Sequence, residues 1–135
     1  MPFRVCYYHV VWATKHRMPL ITVEIEPMIF AAIERKSAAL NSPILAMNAA
    51  ADHIHIAASI STNIAVSDWV KQVKGVSTYE VNTSFALDDH FHWQKGYGIL
   101  TFGAKTLPFV KTYIERQKEH HRDNTLEDYL EQFEE

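Results

Sequence analysis

The stretch "ILAMNAAADHIHIAASIS" (residues 44–61) decides how the rest of the chain is read. It is rich in apolar and β-branched residues, yet it far exceeds the usual strand length of about 5–6 residues. Asn48 to Asp52 gather small and turn-forming residues near its middle, so it predicts two strands joined by a turn. Working outward, "TVEIEPMIFAAIERKSAALN" (22–41) precedes it, and Ile25, Ile29 and Ile33, four apart, draw one apolar stripe on a helix. Pro27 is tolerable there because it sits early, and Glu24 and Glu26 suit the positive end of the helix dipole. "NSP" (41–43) stops that helix.

Further out on the N-terminal side, "RVCYYHVVWATKH" (4–16) is β-branched and aromatic and predicts a strand ending before Pro19. On the C-terminal side, Ser67-Asp68 predicts a cap for a helix "DWVKQVKGVSTYEVN" (68–82) with Trp69, Val73 and Val76 inward. "FHWQKGYGILTF" (91–102) predicts a fourth strand, and Gly103 a joint before a third helix, "TLPFVKTYIERQKEHH" (106–121). A short acidic helix near 125–134 closes the chain. The order β-α-β-β-α-β implies an α+β fold: a ferredoxin-like antiparallel sheet with helices on one face, plus C-terminal helices.

At 135 residues, 47% of them apolar, the chain is one domain able to bury its own core. Cys6, the only cysteine, cannot form an internal disulfide, which suits a reducing, cytoplasmic setting. The opening apolar run is short and broken by His9, unlike a signal peptide. No stretch approaches the roughly 20 apolar residues of a membrane span. The net charge of −3 is uneven: residues 123–135 hold six acidic groups and no Lys or Arg, leaving 13 basic against 10 acidic, or +3, before them. Such a body neither indicates nor excludes DNA.

In a strand, His53 and His55 point to one face while Ile54 and Ile56 point to the other. Their Cα atoms then stand about 7 Å apart, a span two imidazoles can close around one divalent ion. Taken alone, the triplet equally describes a half-exposed sheet face, and a metal needs a third ligand. The third helix offers one, because Tyr113 and Gln117 share a face and His120 continues the stripe. That helix alone reads as a surface helix with Val110 and Ile114 inward; with the histidine pair it suggests two imidazoles and an amide around a cation, a phenol one turn away.

"DHIH" (52–55), "VKGVSTYEVN" (73–82), "HWQKGYGILTF" (92–102) and "YIERQKEHH" (113–121), in unbroken order after "YYHVVWATKHR" (7–17), resemble the single-tyrosine HUH transposases of bacterial insertion sequences. This is the insertion-sequence 200-like family, which includes the transposases associated with repetitive extragenic palindromes. The resemblance implies that Tyr113 is the nucleophile and that His53, His55 and Gln117 hold a divalent metal, Mg²⁺ or Mn²⁺. It implies a catalytic domain over 1–122 that includes the tyrosine helix, with 123–135 an acidic helix of the same domain.

The substrate so implied is single-stranded DNA at hairpin-flanked element ends, cleaved and rejoined through a 5′-phosphotyrosine by a homodimer with no membrane association. Relatives often place the tyrosine helix of one subunit against the other's histidines, and Gly103 suits a hinge for it or, equally, a plain strand-to-helix turn. Lys15, Arg17, Lys71 and Lys74 are the expected backbone contacts, with Trp93 and Tyr97 able to stack on unpaired bases. Asp52 orients an imidazole or merely serves the turn, and His120 is a further supporting group or an alternative ligand. Two other readings remain: a non-catalytic hairpin-binding regulator of the same fold, and a zinc hydrolase built on His53, His55 and His120.

Overall fold

A computed structural model describes residues 3–88 and 90–119. Four strands, β1 (Tyr7–Ala13), β2 (Ile44–Ala49), β3 (His53–Ser59) and β4 (Gly98–Phe102), form one antiparallel sheet in the order β2-β3-β1-β4. Helices α1 (Glu26–Ala39) and α2 (Val66–Ser84) make the two crossovers, and α3 (Leu107–Glu115) follows the last strand. This is the expected α+β, ferredoxin-like arrangement, with β3 inserted between β1 and β2.

Alternation along the strands splits the sheet into two unlike faces. Val10, Trp12, Ile54, Ile56 and Ala58 face α1 and α2, where they meet Ile29, Ile33, Trp69 and Val73 in the main core. His9, Val11, His53, His55 and Ala57 take the alternate positions. Helix α3 covers that second face: Val110 and Ile114 pack on Ala46 and Ala57 in a separate small cluster. The third helix therefore lies across the sheet from the other two, and it is what turns a half-exposed face into a closed one.

Local chemistry explains most element ends. Helix α1 stops in a left-handed cap at Asn41 (φ 55°). There Asn41 N donates to Ala38 O at 3.0 Å and Ser42 N to Ser37 O at 2.9 Å, the paired bonds of a Schellman motif. Helix α2 begins earlier than its sequence suggested. Ala65, extended and without a side-chain bond, occupies the cap position, and Ser67 and Asp68 fall inside the first turn, where Asp68 still favours the dipole. Its inward stripe is Trp69, Val70, Val73, Ser77 and Val81; Val76 is only half-buried. Ser77 is admitted to the core because its hydroxyl accepts the indole N–H of Trp93 at 2.9 Å.

Two further boundaries differ from expectation. The fourth strand pairs only from Gly98; before it, Gly96 (φ 91°) turns the chain and Trp93 makes one isolated bridge to Thr14. Helix α3 ends at Glu115, where Arg116 leaves helical geometry (φ −101°, ψ 19°). Gln117 thus lies past a break rather than on the same uninterrupted helix as Tyr113. His120 and the expected acidic helix, 123–135, lie outside the described residues. Among the described residues, no helix is long and apolar enough to cross a membrane.

Candidate functional site

His53 and His55 are both buried, at 1% and 0% exposure, because β3 is an interior strand roofed by α3. Their ring centroids are 5.1 Å apart with planes at 67°. Tyr113 joins them from α3: its ring centroid is 6.3 Å from that of His55, at 68°. Tyr113 and Gln117 are both buried, at 3% and 0%. Three of the residues singled out from sequence, His53, His55 and Tyr113, therefore meet within one chain.

The break after Glu115 is pinned from outside. Asn48 Nδ2, on β2, donates to Glu115 O at 3.1 Å, so the last carbonyl of α3 is capped by the sheet. One residue past Gln117, Lys118 Nζ reaches Glu26 Oε1 at 2.6 Å, Asn48 Oδ1 at 2.7 Å and Ala49 O at 3.0 Å. These ties flank Gln117, which is buried at the start of a further helical stretch, 117–119, after the break.

Each imidazole has a defined partner at Nδ1. His53 Nδ1 lies 2.7 Å from Asp52 Oδ1, and Asp52 Oδ2 accepts from Arg17 Nε at 3.1 Å. Burial alone would raise the Asp52 carboxyl, but the hydrogen bonds and charges of His53 and Arg17 outweigh it and hold the group below its ordinary value. Asp52 thus contacts both an imidazole and the turn after β1. His55 Nδ1 lies 3.0 Å from Nε2 of His9, a β1 residue the sequence reading did not place in the site. Strand pairing brings it there: with β1 and β3 antiparallel and Val11 opposite His55, His9 lands on the histidine face.

These observations bear on whether a metal fits. The donor set the resemblance implies would be two buried imidazoles and a buried amide, and both imidazoles are held at Nδ1 by a neighbouring side chain, as metal-bound histidines commonly are. Among the described residues, no three His, Cys, Asp or Glu side chains group as a metal site, so a metal on this histidine pair would need a donor of another kind, and the Gln117 amide is the one the sequence resemblance implies. Two nitrogens and one neutral oxygen suit a borderline ion such as Mn²⁺ better than Mg²⁺.

The basic residues are distributed differently. Lys71 and Lys74 stand on α2, across the sheet from Tyr113, and line a groove of about 740 Å³ with Tyr79, Trp93, Lys95 and Tyr97. Lys74 is committed to the fold as well: its Nζ donates to Gln94 O at 2.9 Å and Gly96 O at 2.8 Å, and burial lowers its pKa to about 8. Lys15 and Arg17 lie on a 3-10 turn (Lys15–Arg17) that leaves the end of β1. His16 and Arg17 take left-handed φ values there, 55° and 53°, which non-glycine residues rarely adopt. Lys15 N donates to His92 O at 3.0 Å and His16 N to Gln94 Oε1 at 2.9 Å, while Arg17 holds Asp52. This turn is the physical link between the groove loop and the histidine site.

The chain is similar to known proteins in sequence and in fold. The chain is 26% identical over 115 residues to the ISDra2 transposase TnpA of Deinococcus radiodurans, covering 82% of each. It is 29% identical to the transposase of insertion sequence element IS200 of Salmonella typhimurium, over 84% of this chain and 78% of that one. Its fold matches a REP-associated tyrosine transposase solved bound to a REP hairpin, with a TM-score of 0.65 at 17% identity over 90% of this chain and 74% of the other. A Deinococcus radiodurans transposase structure superposes with a TM-score of 0.70 at 23% identity, covering 86% and 93%. The family model described as "Transposase IS200 like" matches residues 3–117, a span that takes in the whole sheet, the histidine pair, Tyr113 and Gln117, and the chain belongs to that family of DNA-acting enzymes.

Proposed function

We propose that the protein cleaves and rejoins single-stranded DNA at hairpin-flanked element ends, with Tyr113 as nucleophile and a divalent metal held by His53, His55 and Gln117. The observation that carries this reading is the meeting of Tyr113 with His55 on one closed sheet face of a single chain. A divalent ion with open positions supplies charge neutralisation at a phosphodiester, which otherwise repels a nucleophile.

The chain's own residues do the rest. Tyr113 Oη attacks phosphorus and forms a 5′-phosphotyrosine, while the bond to the 3′ oxygen breaks and that oxygen leaves as a hydroxyl. The ester bond is conserved in the adduct, so a second 3′ end can reverse the step without an outside energy source. An ordinary phenol, with a pKa of about 10, ionises in only about one molecule in a thousand at neutral pH. The phenol proton must therefore depart as the bond forms, through a base this reading leaves unassigned. Asp52 holds His53 and is itself charge-balanced by Arg17.

A route for DNA follows from the placement of the basic groups. The α2 groove combines Lys71 and Lys95 with Trp93 and Tyr97, side chains suited to phosphates and unpaired bases. The strand then passes the Lys15–Arg17 turn to reach the histidine face. The hairpin in the REP-associated relative supports a structured DNA end as the ligand. A homodimer, one copy per strand end, completes the proposal; it rests on the family resemblance.

The test incubates labelled single strands from the element's flanks with protein and Mn²⁺ and looks for a denaturation-resistant adduct. Wild type forms it; Tyr113→Phe binds the hairpin equally well and forms none. Hairpin binding by wild type without any adduct points instead to the regulator, and product release indifferent to Tyr113→Phe points to a zinc hydrolase.

A further inference from the structure

His9 is a buried imidazole that the chemistry above does not use. It is 2% exposed, and its ring stacks on His55 with centroids 5.2 Å apart and planes at 16°. Its register partner on β3 is Ala57, and the small side chain there leaves room for the ring to lean along the sheet toward His55. A polar ring in this position is costly unless hydrogen-bonded. The 3.0 Å contact between His9 Nε2 and His55 Nδ1 is therefore the property to explain.

In such a pair one nitrogen carries the proton and the other the lone pair. We infer that His9 is a positioning residue: its Nε2 accepts the Nδ1–H of His55, fixing the His55 tautomer whose Nε2 carries the lone pair, while the stack fixes the ring plane. His9 then keeps its own proton on Nδ1. The role matches that of Asp52 toward His53, with one difference. Asp52 brings a charge that Arg17 balances, whereas His9 is a neutral acceptor and adds no negative charge beside the phosphate. The inference rests on the metal reading above for its purpose, but not for its first measurement.

That measurement is the long-range ¹H–¹⁵N spectrum of the metal-free, full-length protein. His55 is expected as the Nδ1–H tautomer; an Nε2–H signal overturns the inference. The second measurement titrates Mn²⁺ by EPR into wild type, His9→Phe and His9→Gln. His9→Phe retains the stack and loses the acceptor, and weakens Mn²⁺ binding about 10–100-fold. His9→Gln, whose amide oxygen can accept, recovers most of that loss. Equal affinity in folded His9→Phe and wild type overturns the inference. If His53→Ala and wild type bind Mn²⁺ alike, the metal reading fails on its own account, and the tautomer spectrum still decides the role of His9.

Discussion

Tyr113 stands against His55 of its own chain, ring centroids 6.3 Å apart and planes at 68°. The sequence resemblance allowed the tyrosine helix to serve a partner's histidines instead. Here α3 is anchored on its own sheet by Val110 and Ile114 against Ala46 and Ala57, and by Asn48 at its last carbonyl. An arrangement of this kind predicts catalysis within one chain. Co-expressed Tyr113→Phe and His55→Ala chains, differently tagged and purified together, are expected to yield adduct no faster than background, because neither chain holds both groups. Restored adduct formation in the mixed species would mean that α3 crosses to the partner during the reaction.

Asp52 gives a second prediction. Its two oxygens are divided between His53 Nδ1 and Arg17 Nε, so one carboxylate sets both an imidazole and the strained turn after β1. Asp52→Ala removes both bonds and is expected to weaken Mn²⁺ binding about 10–100-fold. Asp52→Asn retains an acceptor for His53 and should lose less. Isothermal titration of both variants checks the order; an alanine variant with wild-type affinity would reduce Asp52 to a turn residue.

Much of this was legible in the sequence because it depends on periodicity. The alternation in "HIHI" puts His53 and His55 on one face whatever the tertiary details, and the four-residue spacing of Ile25, Ile29 and Ile33 fixes the inner side of α1. What escaped was non-local. Whether the histidine face is open or roofed depends on where α3 docks, which no spacing encodes. His9 becomes a neighbour of His55 only through the β1–β3 register. Gln117 was expected on an unbroken helix, yet the backbone turns at Arg116 because Asn48 and Lys118 tie the segment to β2. The cap of α2 was misplaced since Ser67 and Asp68 look like capping residues, but Ala65 already has the extended geometry that starts the helix.

A stability prediction concerns the core between α1 and α2. Ser37 is fully buried, its hydroxyl accepting the indole N–H of Trp69 at 2.9 Å and donating to the carbonyl of Ser42. Ser37→Ala leaves a buried indole N–H and a carbonyl without that partner. The expected cost is about 1–3 kcal/mol, read from urea unfolding at pH 7. A loss under about 0.5 kcal/mol, the low end for a hydrogen bond, would show that neither group depends on the hydroxyl.

Lys74 makes the stability of the protein depend on pH in a direction that can be stated beforehand. Its Nζ is half-buried above the Trp12 ring, 5.5 Å from the centroid, and burial lowers its pKa from 10.5 to about 8. The neutral amine still has two N–H groups, enough for the carbonyls of Gln94 and Gly96 that it holds. Between about pH 8 and 10.5 the native lysine has released its proton while the unfolded one retains it. The unfolded state binds more protons there, so this residue's contribution to stability rises with pH across that window and is flat below it. Lys74→Met removes the titration along with the two hydrogen bonds. Urea midpoints of both proteins at pH 7, 8, 9 and 10 are expected to diverge progressively above pH 8, with wild type gaining on the variant. A difference that stays constant across that range would show Lys74 titrating at its ordinary value, and the loop from Gln94 to Gly96 would then be held by a charged ammonium.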